Sequence, residues 1–221
     1  QLRFSERDEE FLIERLDQKI GDECTFFVFA DTVAARSFKQ RNEAHGWLGM
    51  RFQSETRGKP SEIIIHVRML DEANVDQQEA LGIIGVNLIY GAFYEHEPEK
   101  LIASLHQNLP PERIQVDMIK LFGPAFADVD NRLMSLQLVS QGLTAAVMVT
   151  ADGESVQPAE ILPRKASIVE RGSVRHVTYA TNDMLGGARK GVNTQPGTKE
   201  EERGVLMERT RDTRSSRGPR H

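Results

Sequence analysis

The run Trp47-Leu48-Gly49-Met50-Arg51-Phe52-Gln53, followed after a short loop by Glu62-Ile63-Ile64-Ile65-His66-Val67-Arg68-Met69-Leu70, decides the fold. Both runs are rich in β-branched, aromatic and other large apolar residues, and the loop between them holds Gly58 and Pro60. Two such runs across a Gly/Pro loop read as an antiparallel hairpin. Upstream, residues 25–30 read as a short buried strand rich in aromatics. Residues 5–20 read as an amphipathic helix capped by Ser5, with Phe11, Leu12, Leu16 and Ile20 near one face. The polar stretch 31–46 takes no assignment.

Downstream, residues 74–94 form the longest helical stretch. The first turn is polar and acidic, and the second half is apolar nearly all round, which predicts a central buried helix. Gly82 and Gly85 lower its propensity and predict close approach by a strand or another helix. A shorter helix follows over 99–108. The alternation of Ile114, Val116 and Met118 with Gln115 and Asp117 predicts a strand over 113–121. Residues 128–141 read as a helix with Leu133, Leu136 and Val139 on one side and Gly142 as its stop. Residues 144–150 read as a strand turned by Asp152-Gly153, 166–170 and 173–179 as two more strands, and 181–190 as a last helix.

This alternation predicts the α/β class: a mixed β-sheet with a central buried helix and flanking helices, in a single domain over 1–190. From 191 to 221 the chain is dominated by Arg, Glu, Thr, Ser, Gly and Pro, with too few large apolar residues to offset ordering entropy. A disordered polar tail is expected there. The chain opens on Gln1, so a fragment of a longer protein is expected.

Composition bounds the function classes. A net charge of -5 disfavours a general nucleic-acid binder, which is usually basic. Cys24 stands alone, so no internal disulfide forms, and its place in an apolar run reads as a buried small residue rather than a reactive thiol. The longest apolar stretch, 81–94, is too short for a membrane span, and no signal peptide is expected from the charged, amphipathic N-terminal residues. A cytoplasmic location is expected.

Four groups of residues suggest chemistry, each with a bland alternative. His45-Gly46-Trp47 leads into Arg51; Trp47 can stack on a base and Arg51 can pair with a phosphate or carboxylate. The alternative is a turn glycine and a core tryptophan. His66 and Arg68 share one face of their strand by their spacing of two, and pairing with the preceding strand would set Arg51 against them. The alternative is a solvated strand face. His45 and His66 have no ligand pair of usual spacing, so no metal is expected. Asp128-Val129-Asp130-Asn131-Arg132 suits a helix cap. Arg164-Lys165, Arg171-Gly172-Ser173 and Arg175-His176 form a basic segment able to hold a phosphate, or a charged hairpin edge. Gly186-Gly187-Ala188-Arg189-Lys190 lacks P-loop spacing. No dinucleotide fingerprint, zinc-protease motif, nucleophile elbow or Cys-x-x-Cys occurs.

With these residues in view, the chain resembles a large uncharacterised family of bacterial proteins. The resemblance is carried by Phe27-Val28-Phe29-Ala30-Asp31-Thr32-Val33-Ala34, by His45 to Phe52, by Ile64 to Asp71, by Gln78 to Phe93, by Asp130-Asn131-Arg132-Leu133 and by Glu170-Arg171-Gly172-Ser173. Members carry automatic labels such as nicotinate-nucleotide adenylyltransferase or TonB-dependent receptor. The residues support neither: His45-Gly46-Trp47-Leu48 is not the His-x-Gly-His phosphate motif, and the chain has no room for a membrane barrel. Family members extend further at both ends.

Two functions follow as expectations. The first is binding of a phosphate-bearing small molecule such as a nucleotide, with Trp47, Arg51, Arg68 and Arg171 as ligand contacts and His66 as the candidate catalytic group. No reaction or cofactor is assigned. The second is a non-catalytic assembly or scaffold protein, with the helix over 81–94 as a homo-oligomer contact. Nucleic-acid binding through 164–176 and the tail is a distant third.

Overall fold

A computed structural model describes residues 11, 14–15, 24–34, 44–158, 166–172, 178–193 and 203–209. The chain divides into two compact units, Gln1–Gln157 and Pro158–His221. Of the helix expected over 5–20, only Phe11, Glu14 and Arg15 are described, and they are helical.

The first unit is built on a four-stranded antiparallel sheet in the order β1-β2-β3-β4, with β1 Phe27–Ala34, β2 Ala44–Phe52, β3 Ser61–Met69 and β4 Ile114–Phe122. The expected hairpin is β2–β3, in register from Ala44 opposite Met69 to Phe52 opposite Ser61. Alternation gives the sheet two unlike faces. Leu48, Met50, Ile63, Ile65 and Val67 point into the core. His45, Trp47 and Arg51 on β2, and Glu62, Ile64, His66 and Arg68 on β3, occupy the other face.

Helix α1, Asn74–Tyr94, lies on the core face. Its burial is one-sided: Gln77, Ala80, Ile84, Gly85, Leu88 and Gly91 are buried, whereas Val86, Tyr90 and Tyr94 are exposed. A Cβ on Gly85 would sit 3.2 Å from the Phe29 ring of β1, the strand contact expected of it, while one on Gly82 would meet nothing within 4 Å. The N-terminus of α1 is held by Arg113, which donates to Asp71, to Glu79 and to the carbonyl of Asp76. Asn87, the polar residue of the apolar half, donates to the carbonyls of Leu105 and Gln107 beyond α2, Pro98–Ser104. Leu101 and Ile102 of α2, with Met134 and Leu138 of α3, Asn131–Ser140, complete the core.

Several expectations shift. Helix α3 buries Met134, Ser135 and Leu138, and leaves Leu133 and Leu136 exposed. The strand expected over 144–150 shortens to β5, Met148–Val149, paired with β6, Ser155–Val156, across the turn at Gly153. Cys24 is half-buried rather than buried.

In the second unit, β7, Ala166–Gly172, pairs in parallel with β8, Arg203–Arg209, and helix α4, Tyr179–Asn193, lies between them in sequence. The α/β class therefore holds, with the antiparallel and parallel pairings in separate sheets. The segment expected as a polar tail contains β8; residues 194–202 and 210–221 lie outside the described residues, as do 173–177 of the expected last strand. Gly186 and Gly187 sit inside α4, so they form no phosphate loop. Among the described residues, no helix is long and apolar enough to cross a membrane.

Candidate functional site

The outer face of β2–β3 brings several of the expected residues together. Trp47 is opposite His66, and His45 is opposite Arg68. The Trp47 and His66 rings meet edge-on, with centroids 4.8 Å apart, and the His45 and His66 rings are 5.3 Å apart. His66 is fully buried, whereas Trp47, His45 and Arg68 are half-buried.

Behind His66 lies a residue to which sequence reasoning gave no role. Asp117 Oδ1 is 2.6 Å from His66 Nδ1, and both groups are buried. A carboxylate only accepts, so His66 donates. The other ring nitrogen, Nε2, is 3.2 Å from Nδ1 of His45. Asp117, His66 and His45 thus form one hydrogen-bonded chain running from β4 through β3 to β2. Arg68 Nη1 donates to Gln115 Oε1 at 3.4 Å on the same face.

A β-bulge positions Asp117. The β3–β4 register slips between His66 and Val67: His66 pairs with Met118 and Val67 with Val116, leaving Asp117 as the extra residue. The Val116 N–H bonds to the carbonyl of Leu143. Bulges re-aim side chains in this way. The signal in the sequence is the odd spacing from Val116 to Leu121, both core residues, which strict alternation cannot place on one face. Met118, expected among the apolar residues of the strand, is buried but stands outside the core cluster.

The remaining expected residues lie elsewhere. Arg51 does not face His66 and Arg68. It is opposite Glu62, 3.3 Å away in an ion pair, and six residues along the strand from His45, or about 20 Å. Arg171 belongs to the second unit, where its backbone pairs with Glu208. Arg164, Lys165, Ser173, Arg175 and His176 lie outside the described residues. Asp130 caps α3, accepting from the Arg132 N–H at 2.9 Å and gripping its guanidinium at 2.7 Å. Those bonds, the side-chain one first, hold the Asp130 carboxyl down at about 2. That is the structural role expected of the motif.

A separate cavity of about 360 Å³ opens on the core side, lined by Asp31, Val33, Met69, Asn74, Gln77, Gln78 and Leu81. None of these belongs to the His66 chain. Among the described residues, no group of three or more His, Cys, Asp or Glu side chains is placed to hold a metal ion. No protein-family model, curated protein or solved structure matches the chain.

Proposed function

We propose that the chain binds a phosphate-bearing small molecule, such as a nucleotide, on the outer face of β2–β3. The observation that carries this reading is the convergence of Trp47, His45 and Arg68 around a buried Asp117–His66 pair. The guanidinium of Arg68 matches a phosphate in charge and shape. The half-buried indole of Trp47 offers a stacking surface for a base. His66, held between a carboxylate and a second imidazole, is the group through which a proton would be passed. Arg51 and Arg171 are left out of this reading.

A ligand that binds only the folded state raises its stability by mass action. AMP at about a hundred times its Kd is expected to raise the Tm by roughly 5–10 °C. Arg68→Ala is expected to abolish most of that rise without lowering the ligand-free Tm by a similar amount. A panel of nucleotides and inorganic phosphate that leaves the Tm unchanged contradicts the reading.

One observation favours assembly as a second reading. Val86, Tyr90 and Tyr94 recur at every fourth position on the exposed face of α1, and the two tyrosine rings stack at 4.9 Å. Contiguous apolar exposure of this kind marks contact surfaces. Light scattering on the eluting protein is expected to give a dimer mass that falls to the monomer in Tyr90→Ser/Tyr94→Ser. A monomer at all concentrations contradicts it.

A further inference from the structure

We infer that the cavity of about 360 Å³ lined by β1 and the N-terminal part of α1 is a binding site for a primary ammonium ion carried on a short apolar body. Asp31 pairs with Leu48 across the β1–β2 ladder. Directly opposed residues share a face, and Leu48 is fully buried in the core. Asp31 is therefore a carboxylate on the core side of the strand that ends the sheet. It makes no hydrogen bond or ion pair with another described residue. Among the described residues that line the cavity there is no Lys, Arg or His to neutralise it.

Gln77 supplies a second acceptor. It is 5% exposed and lines the same cavity. Its Nε2 donates to the carbonyl of Asp71 at 2.7 Å, and a carbonyl only accepts, so the orientation of the amide is fixed. Oε1 then accepts no hydrogen bond from the described residues, yet it is not sealed from solvent, which leaves it open where the side chain meets the cavity. A carboxylate and an amide oxygen call for a donor with a positive charge, and an ammonium group brings three N–H bonds. Asp76 in the first turn of α1 offsets the positive end of the helix dipole, which opposes a cation. Val33, Met69 and Leu81 form an apolar wall, so the ligand carries an alkyl body as well as a charge. An inward charge on an end strand also discourages edge-to-edge pairing, but that role requires no ligand and distinguishes no amine from an alcohol. The cavity and the anion-binding face lie on opposite sides of the sheet, and this inference does not rest on that reading.

The test is a titration of the full chain with n-butylammonium, n-butanol and n-butyrate, followed in its amide NMR spectrum. n-Butylammonium is expected to shift the backbone amides of Asp31 and Val33 and the side-chain amide of Gln77 saturably. n-Butanol is expected to bind at the same place about fivefold more weakly, the scale of one partly exposed charge pair, and n-butyrate is expected to leave these signals unmoved. Asp31→Asn, a nearly isosteric change at an exposed position, is expected to bind butanol as the wild type does and to lose the preference for the amine. Equal affinity of the wild type for amine and alcohol overturns the inference, as does a preference for the amine that survives in Asp31→Asn. So do shifts at Asp31 that leave the Gln77 side chain unmoved, binding of butyrate, or the absence of any saturable shift.

Discussion

His106 shows how one side chain sets a pH response away from the site. Burial pushes its pKa below the ordinary 6.5, against a smaller upward pull from Glu112. Its Nε2 is buried without a hydrogen-bond partner among the described residues. Folding therefore favours the neutral ring. The contribution is intact above about 6.5 and is lost as pH falls through the lower folded-state value. Asp130 acts in a lower window: its stabilisation is present above the ordinary 3.8 and disappears as pH falls to about 2. Between about pH 7.5 and about pH 5.5, His106 responds and Asp130 does not. The urea midpoint of the wild type is expected to drop over that interval, and His106→Gln is expected to shrink the drop. An equal drop in the variant would show that burial of this ring is not its source.

The glycines separate two kinds of position within the elements. Gly82 lies in the interior of α1 with open space around it, so Gly82→Ala is expected to stabilise by about 0.5–1 kcal/mol. Gly123, at the end of β4, has φ +92°, and an added Cβ would come within 2.6 Å of the Ser61 Cα and 2.7 Å of the Pro60 carbonyl. Both contacts are to backbone, so Gly123→Ala is expected to destabilise by about 2 kcal/mol or more. Chemical denaturation of the two variants checks both signs. The hairpin β2–β3 was legible because its apolar runs flank Gly58 and Pro60. Helix α1 was legible from its length, but not its exposed side, since apolar residues on both sides look alike until a sheet selects one. Helix α3 was misread for a similar reason. Ser135 is buried because its hydroxyl bonds to Ser155, a partner twenty residues away that periodicity does not reveal. Asp117 was hidden by the bulge, which changes the phase of β4 midway.

Among the described residues, the buried hydrophobic cluster and the candidate site both belong to the first unit, and the buried members of that cluster fall between Ala44 and Leu143. The sheet divides the work. Its inner face buries aliphatic side chains under α1, and its outer face carries a buried carboxylate–imidazole pair with an indole and a guanidinium beside it. Trp47 is the chain's single tryptophan, so its fluorescence reports on the site alone. Titrating the protein with AMP while following that emission is the most direct measurement. Saturable quenching that vanishes in Arg68→Ala is the predicted result; an emission that AMP leaves unchanged at every concentration would contradict the account.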